Sequence, residues 1–485
     1  MVSDETFFLP AVEIAQLIRT RALSPVELID ALFERIRSRD GAINAYCTLA
    51  EESARATARD IERRVSQGDA KGPLLGVPVS IKDNIETAGI RTTYGSRVFR
   101  DFIPTEDAVC VERLKGAGAV IIGKTNLPEF AAKGVVDSPL FGRTHNPWDL
   151  NLTVGGSSGG AAAAVAAGMG PLAIGNDQAG SIRIPAAFAG VAGLKPTGGR
   201  IPFYPNDNPW DVIFQVGPIA RTIADLELAL RVLEGPDPRD PFSLPMIAGD
   251  WESPLEDLIR PWRLAWSPDF GFAEVDATVL QLCREAFDQL AEIGTAESPS
   301  LQLGEAEEAY AALVPIRRAA ALAEVIDEWE PLMDPFVARY IRSGLAMTVK
   351  DLGRGIRLRN STNRELHRLF AEFDLLVSPA VAVLPFDVRL TEPSAINGKA
   401  LSSWRAWFPF TYPLNLTGHP AATVPIGWTS DNLPVGLQIV GPRFADREVL
   451  AACRRLELIR PWAHRRPDLN EHGSVGSSDT PLPSS

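Results

Sequence analysis

Apolar positions near the start of the chain repeat with the period of a helix. Residues 29–36 place apolar side chains at i, i+3, i+4 and i+7, directly after a Ser-Pro-Val-Glu capping box at 24–27 with proline at the first helical position. Residues 51–65 indicate a second helix that is polar on most faces. The chain therefore begins with two predicted helices before its first strand.

From about Leu75 the pattern alternates between short apolar strands and helices. Strands are predicted at 77–81, 119–122 and 172–175, with a helix over 108–114. Strand patterns return at 374–378, 421–425 and 435–440, and a last helix begins at Asp446. Strands that alternate with helices favour an α/β protein whose sheet is covered on both faces. Because strands lie on both sides of the middle segment, one sheet built from distant segments is expected.

The middle and the end of the chain differ from this pattern. Residues 230–400 carry mostly helical periodicity, which predicts a helical insertion that helps to form the substrate pocket. Residues 466–485 are rich in Ser, Pro, Gly and Asp, which is typical of a disordered tail. We therefore expect a single domain over 1–465, followed by the tail.

Charge and cysteine content exclude several classes of protein. With 48 Lys and Arg against 61 Asp and Glu, the net charge of −13 disfavours non-specific binding to nucleic acid or to anionic membranes. Cys47, Cys110, Cys283 and Cys453 form no CxxC pair, so buried reduced thiols are expected rather than zinc ligands or disulfides. With no signal peptide and no apolar run of spanning length, the expected location is the cytoplasm. No metal or cofactor is expected.

A glycine-rich loop at 155–160 carries two serines, Ser157 and Ser158. A flexible linker, a phosphate-binding loop and a catalytic serine loop are all compatible with glycine there. The loop also fits the G-x-S-x-G pattern of a nucleophile elbow, which needs a later acid and histidine. Among the five histidines, His419 is the best candidate for that role.

A second polar loop, at 175–183, follows the strand at 172–175. Its serine, Ser181, comes 24 residues after Ser157, and small residues before it could present successive backbone N–H groups to an oxyanion. Lys82 directly follows the strand at 77–81. A lone lysine is usually solvated, but a buried lysine loses its charge and can act as a base.

Together these motifs resemble the amidase signature family. The resemblance rests on Lys82 in VSIKD, Ser157 in GGSSGG and Ser181 in GNDQAGSIRIP, including the spacing between the serines. It extends over most of the chain through GLKPTGGRI (193–201), GPIART (217–222), NLTGHPAATVPIG (415–427) and LPVGLQIVG (433–441). The resemblance is weakest between about 230 and 400.

The resemblance implies a central twisted mixed β-sheet covered on both faces by α-helices, and hydrolysis of carboxylic amides through an acyl-enzyme. Ser181 would be the nucleophile, and Ser157, on a cis peptide bond, would link it to an uncharged Lys82. The remaining implied residues serve as oxyanion N–H donors or as polar support: Gln178, Ala179, Gly180 and Ser181 as donors, and Ser158, Asp177 and Arg183 as support.

Two positions depart from the common family pattern, namely Asn176 in place of threonine and Ala179 in place of glycine. The pattern is closer to the branch that contains the nylon cyclic-dimer hydrolase and broad amidases than to the glutamine-amidase subunit of the tRNA amidotransferase. That subunit, and an α/β-hydrolase esterase with a Ser-His pair, are the alternatives.

The substrate pocket is expected at the insertion and at the loop after Asn126. Its predicted lining is apolar or small, which favours substrates with apolar or aromatic acyl or amine parts; the residues are Phe130, Ala131, Gly134 and Val135. Trp329, Trp404 and Trp407 either line this pocket or pack in the core. Anilides, esters and carbamates are not ranked by the sequence. The expected partner is a small-molecule amide, and a homodimer stays open.

Overall fold

The computed structural model describes residues 2–206, 213–247, 249 and 251–469. Helices occur along the whole described chain, and the longest of them, with 24 residues, is Val349–Glu372. The α-helices of this part are α1 (Ala11–Arg19), α2 (Pro25–Ile43), α3 (Glu51–Ser66), α4 (Val109–Gly116), α5 (Gly159–Ala166), α6 (Arg183–Ala189), α7 (Ile223–Leu233), α8 (Ala277–Ala291), α9 (Glu305–Leu322), α10 (Ile326–Trp329), α11 (Pro335–Leu345), α12 (Val349–Glu372), α13 (Tyr412–Thr417) and α14 (Asp446–Ile459).

Strands alternate with these helices. Within the described residues they are β1 (Tyr46–Leu49), β2 (Pro78–Lys82), β3 (Val120–Thr125), β4 (Asp137–Ser138), β5 (Gly142–Arg143), β6 (His145–Asn146), β7 (Asp149–Thr153), β8 (Leu172–Asp177), β9 (Ala192–Lys195), β10 (Gln215–Ala220), β11 (Arg263–Trp266), β12 (Thr295–Glu297), β13 (Leu375–Pro379), β14 (Ala395–Ile396), β15 (Lys399–Ala400), β16 (Ala421–Trp428) and β17 (Pro434–Val440).

One mixed sheet organises the molecule. Its eleven strands follow the order β1-β3-β2-β8-β10-β9-β16-β17-β13-β11-β12. The neighbours β3, β2 and β8 are parallel, as are β13, β11 and β12, whereas the strands between β8 and β13 are antiparallel. Every residue of β2, β3, β8 and β17 is buried, as expected for a sheet covered on both faces. The predicted α/β class and mixed sheet are confirmed.

Helices on the sheet complete a single core. The helix α5 packs on β2, β3, β8 and β10, while α6 packs on β9, β16 and β17. Further along, α7, α8 and α14 also pack on strands of the sheet. Most buried apolar side chains form one continuous cluster from Ala11 to Trp462, which supports a single domain, and a small second cluster joins Ala132 to α10 and α11.

The first predicted helix has the expected N-terminal residue. Ser24 is the N-cap of α2, and its Oγ accepts a hydrogen bond from the backbone N–H of Glu27 at 3.2 Å. The Ser24 hydroxyl donates to Glu62 Oε1 of α3 at 2.5 Å. Ser24 therefore starts one helix and ties it to the next, a contact that the capping pattern does not predict.

The segment between 230 and 400 is mostly helical and also contributes to the sheet. The helices α11 and α12 both pack on α9, but β11, β12 and β13 lie in the same segment and form one end of the eleven-stranded sheet. The sequence pattern identified β13 and not β11 or β12, because the latter have only four and three residues. The boundaries of the insertion stay a prediction.

The predicted tail lies mostly outside the described residues. Its first residue, Arg466, forms an ion pair with Glu5 at 2.6 Å, and the description stops at Leu469. Within the described residues, no helix combines the length and the apolar character needed to cross a membrane.

Candidate active site

Lys82 is the last residue of β2 and is fully buried. Its Nζ lies 2.7 Å from Ser157 Oγ and donates a hydrogen bond to Asn176 Oδ1 at 2.7 Å. Burial lowers the pKa of Lys82 well below its ordinary value; the nearby Arg318 charge lowers this pKa further, while Asp177 raises it. Because the charged form is disfavoured, the amine is able to accept a proton from a neighbouring hydroxyl.

The position of Lys82 follows from the parallel pairing of β2 and β8. Ile81 pairs with Ile174, so Lys82 reaches the carboxyl edge of the sheet next to the end of β8. Side chains from neighbouring parallel strands converge at this edge, which is where α/β proteins place their ligands. The two strands thus bring together motifs that lie about 95 residues apart.

The loop with Ser157 is shaped by glycines. The Gly156–Ser157 peptide bond is cis, as the family resemblance implies. A Cβ on Gly156 would come within 2.7 Å of the Val135 backbone, so a larger residue would displace one of the two loops. Ser158 then caps α5, and its backbone N–H donates to Ser181 O at 3.0 Å. Its hydroxyl donates to Asn176 O at 3.3 Å, so Ser158 joins the two serine loops.

Ser181 lies in a turn built around the Asp177 carboxylate. Asp177 Oδ1 accepts from the N–H of Gly180 at 2.7 Å, and Oδ2 accepts from the N–H of Ile182 at 3.1 Å. Ser181 is 8% exposed, lines a small cavity, and its hydroxyl makes no hydrogen bond with any described residue. The arrangement leaves the Ser181 oxygen accessible to a substrate in that cavity.

The predicted oxyanion donors fall into two groups. The N–H of Gly180 already donates to Asp177, whereas those of Gln178, Ala179 and Ser181 have no acceptor within the described part of the chain. Donors that are held in place before the reaction stabilise a developing oxyanion most strongly. The turn therefore offers three N–H groups, with Gly180 supporting its shape.

Asp177 and Arg183 form a fully buried ion pair beneath this turn. Arg183 Nε and Nη2 each donate to the Asp177 carboxylate at 3.0 Å. Burial alone would raise the pKa of Asp177, but the Arg183 charge and its hydrogen bonds hold that pKa below its ordinary value. Asn415 Nδ2 adds a bond to Asp177 Oδ1 at 2.9 Å, and Arg183 Nη1 donates to Gln438 Oε1 at 2.8 Å. The helix α13 and the strand β17 thereby hold the turn in place.

Arg318 of α9 also contacts the turn, and the sequence patterns did not identify it. Its Nη2 donates to Gln178 Oε1 at 3.0 Å, and its Nη1 donates to Phe130 O at 2.9 Å. No motif marks Arg318 out from the adjacent Arg317, because the segment around it has no diagnostic pattern. Asn176 was noted only as a departure from the family pattern, yet its side chain contacts Lys82.

Two cavities adjoin this cluster. A small one of about 20 Å³, with room for roughly one water, is lined by Ser181 and by the predicted pocket residues Ala131 and Gly134. A larger one of about 540 Å³ is lined by Phe130 and Trp329, and Arg318 borders both. Val135 lines neither of the two; its backbone packs against Gly156.

Of the remaining aromatic and histidine candidates, one lines a cavity and the others are packed in the interior. Trp404 lines the small cavity, while Trp407 is fully buried and stacks on Phe188 with ring centroids 5.9 Å apart. His419 is buried, stacks on Phe370, and its Nδ1 lies 2.9 Å from Thr417 Oγ1. Burial lowers the pKa of His419 to about 3. None of the three serines in the two loops is among its hydrogen-bond partners in the described structure, which disfavours the Ser-His alternative.

Comparison with known proteins places this geometry among amide-cleaving enzymes. A family model described as Amidase matches residues 27–450. An acylamidase of Rhodococcus erythropolis is 38% identical over 473 residues, which cover 96% of this chain and 98% of the relative. A glutamyl-tRNA(Gln) amidotransferase subunit of Moorella thermoacetica is 34% identical over 490 residues, covering 96% and 99%.

Solved structures agree with these relatives. A bacterial aryl acylamidase of the amidase signature family superimposes with a TM-score of 0.88 at 32% identity, over 94% of this chain and 97% of that chain. The 6-aminohexanoate cyclic dimer hydrolase in complex with its substrate gives a TM-score of 0.86 at 28% identity, over 96% and 99%.

Proposed function

The chain belongs to the amidase family and hydrolyses carboxylic amide bonds, and we propose that it acts alone, on amides that carry an aromatic or apolar group. The observation that best supports the chemistry is the buried Lys82 amine at 2.7 Å from Ser157 Oγ. A base at this distance, with its pKa lowered by burial, suits proton transfer between serine hydroxyls at neutral pH.

In the proposed mechanism Ser181 is the nucleophile. Its hydroxyl proton passes to Ser157 Oγ while the Ser157 proton passes to Lys82 Nζ, and Ser181 Oγ bonds to the amide carbonyl carbon. The N–H groups of the turn stabilise the resulting oxyanion. When the tetrahedral intermediate collapses, the C–N bond breaks and the leaving amine takes the proton back from Lys82 through Ser157. Water, deprotonated by the same relay, then attacks the acyl carbon. The ester bond to Ser181 Oγ breaks, the relay returns the proton to Ser181, and the acid leaves.

A serine-directed probe tests the assignment of the nucleophile. A fluorophosphonate should label Ser181 in the intact chain, as peptide mapping will show, and Ser181→Ala should abolish labelling. Ser157→Ala should slow labelling strongly, because the relay to Lys82 is then interrupted. Labelling of Ser157 rather than Ser181 would contradict the proposed roles.

The amidotransferase subunit is the weaker candidate. Such a subunit depends on partner proteins, so the two functions differ in what the purified chain does without additions. We expect the chain alone to hydrolyse simple amides with multiple turnovers. Activity that appears only with a partner, and only on glutamine, would favour the alternative.

The larger cavity supports an aromatic substrate group on the amine side. Its volume of about 540 Å³ is typical of ligand pockets. Phe99 contacts Trp329 and Phe130 edge to face, and Phe203 stacks on Phe214 with centroids 4.8 Å apart. All five of these rings border the cavity and are only partly buried, which leaves apolar surface for a ligand to cover.

The position of the larger cavity relative to the Ser157–Lys82 proton relay indicates which part of the substrate this cavity would bind. Asn84 lines the cavity and accepts a hydrogen bond from Asn176, whose Oδ1 accepts from Lys82. The leaving amine receives its proton from the Lys82 side, whereas Ser181 and the oxyanion donors line the small cavity. The larger cavity is thus suited to the aryl group of an arylamine. The acyl part lies on the side of the small cavity, which must widen beyond its volume of about 20 Å³ to admit it.

A pair of helix substitutions tests this assignment. Ala321 of α9 lines the large cavity, so Ala321→Trp should fill it; the exposed neighbour Ala320 lines neither cavity, so Ala320→Trp is the matched control. We expect Ala321→Trp to lower kcat/KM for 4-phenylacetanilide about tenfold, roughly 1.4 kcal/mol, with acetamide little affected. Equal losses for both substrates, or the same losses in Ala320→Trp, would contradict the arylamine assignment.

A cytoplasmic location and a small-molecule substrate complete the proposal. Support for the location comes from the four cysteines, all unpaired in the described structure, which suit a reducing compartment.

A further inference from the structure

The side chain of Gln178 belongs to the lining of the small cavity. It is 3% exposed and lines that cavity together with Ser181 and Ala179. A carboxamide has an acceptor oxygen at one end and a donor nitrogen at the other, so its orientation decides what it offers to a ligand.

Arg318 fixes that orientation. A guanidinium only donates hydrogen bonds, so the carboxamide end that faces it must be the acceptor, and Gln178 Oε1 lies 3.0 Å from Arg318 Nη2. Arg318 is itself held by bonds to Phe130 O at 2.9 Å and Ala131 O at 3.4 Å. The opposite rotamer would place N–H groups against N–H groups, so Gln178 Nε2 stays turned away from Arg318.

The other end of the Gln178 carboxamide, its Nε2, has no acceptor among the described residues. Gln178 Nε2 is buried without a hydrogen-bond partner in the described structure. Leaving such a donor unpaired costs about 1–3 kcal/mol, and buried polar groups without partners are rare in folded proteins. A donor that is oriented by an arginine and borders the cavity of the candidate nucleophile is suited to a group that the substrate brings.

We infer that Gln178 Nε2 is a specificity-determining donor that binds an acceptor oxygen in the acyl part of the substrate, with Arg318 as its positioning residue. This inference rests on the proposed function, because the small cavity holds the acyl part only if Ser181 is the nucleophile. Acyl groups with an ether, hydroxyl or second carbonyl oxygen satisfy the donor. Hydrocarbon acyl groups of the same shape leave it unpaired.

Matched anilides measure this preference. Methoxyacetanilide and butyranilide differ only by an oxygen in place of a methylene, as do 3-methoxypropionanilide and valeranilide, and all four share one leaving group. In at least one pair, kcat/KM of the wild-type chain should favour the oxygen-containing substrate about tenfold or more, equivalent to roughly 1.4 kcal/mol.

Two substitutions at position 178 remove the donor in different ways. Gln178→Met replaces the carboxamide with an apolar chain of similar length, and Gln178→Glu keeps an acceptor for Arg318 but has no N–H. Both variants should bring the ratio of the two kcat/KM values close to one or below. Arg318→Met should also shrink the ratio, since the carboxamide can then rotate, and Arg318→Lys should restore part of it.

The selectivity ratio separates this role from a structural one. A substitution that merely loosens the turn lowers kcat/KM for both members of a pair and leaves their ratio unchanged. The inference is overturned if the wild-type chain shows no preference in either pair, or if the preference survives in both variants at position 178.

A binding measurement tests the role of Gln178 if none of the anilides is hydrolysed. Should the wild-type chain hydrolyse none of these anilides, the proposed reaction on anilides fails. Calorimetric titration of Ser181→Ala with methoxyacetanilide and butyranilide still compares the two affinities. Tighter binding of the ether that disappears in Ser181→Ala/Gln178→Met supports the inference, and equal binding refutes it.

Discussion

A lysine side chain in a protein interior either loses its proton or is stabilised by polar neighbours, and the described part of this chain has three that are fully buried. Lys124 donates to Ile85 O and to the hydroxyls of Thr87 and Thr92, and burial lowers its pKa to about 8. The pKa of Lys195 is lowered by burial to about 7, and its Nζ donates to Pro196 O. Of the three, Lys82 is the one whose amine contacts a serine of the candidate site.

Replacement of that amine should stop the chemistry. We expect Lys82→Met to lower kcat/KM by about 10²–10⁴, the usual range for loss of a general base, without preventing folding. His419→Ala is the control, since the histidine lies outside the relay; it should keep substantial activity. An active Lys82→Met variant, or an inactive but folded His419→Ala variant, would refute the lysine relay.

The acidic limb of the pH profile should report on Lys82 and its neighbour Arg318. The reaction needs the uncharged amine, so kcat/KM falls as the pH drops through the pKa of Lys82. The Arg318 charge lowers that pKa, and Arg318→Met should therefore raise it and move the limb to higher pH. Arg318→Lys keeps the charge and should leave the limb nearly in place. A limb that does not move in Arg318→Met would show that another group controls it.

At the scale of single residues, the sequence identified those candidate catalytic residues that lie in recognisable motifs. Ser157 was noted in a glycine-rich loop, Ser181 in a polar loop after a buried strand and Lys82 at a strand end, and the resemblance to the amidase signature family implied their roles. Arg318 was not identified, since no motif marks its helix, and neither was the link from Asn84 through Asn176 to Lys82, since it depends on the pairing of β2 with β8.

Among the elements, the turn between β8 and α6 is the most constrained. Gly180 has φ +110°, and a Cβ there would lie 2.6 Å from the Thr411 side chain, whose hydroxyl donates to Ala179 O. The turn thus depends both on a backbone conformation that favours glycine and on close contact with the residue that precedes α13.

The substitution Gly180→Ala should therefore lower the free energy of unfolding by more than the backbone conformation of this residue alone explains. Gly89 is a fitting comparison, because its φ is +74° and a Cβ at that position would meet nothing within 4 Å. We expect Gly89→Ala to lower the free energy of unfolding by about 1 kcal/mol and Gly180→Ala by clearly more, with loss of activity only in the latter. Urea denaturation and kcat/KM measure both effects, and equal behaviour of the two variants would argue against the steric contact.

The sequence predicted elements well where burial gives them a regular pattern. The all-buried β2, β3, β8 and β17 read as apolar runs, and α2 and α14 as amphipathic helices. Short strands do not show such a pattern. The strand β12 has three residues, all exposed, and is recognisable only by its parallel pairing with β11.

For the whole molecule, the single core predicts inert thiols. Three of the four cysteines are buried, and burial raises the pKa of all four thiols, so little thiolate is present at neutral pH. Ellman's reagent should react slowly with the native chain and rapidly with four thiols in guanidinium chloride. Rapid modification of the native chain with loss of activity would instead indicate an accessible thiol near the site.

The sheet order has a consequence for synthesis on the ribosome. The candidate base and both serines have emerged once residue 181 is made, but the Asp177–Arg183 pair is held by Asn415 and Gln438, and β9, which pairs with β10, gains its second neighbour only when β16 exists. Such long-range contacts slow folding, and they delay it until the carboxyl-terminal strands arrive. A nascent polypeptide therefore carries its reactive groups for most of translation without a formed oxyanion turn, and gains hydrolytic competence only near its release.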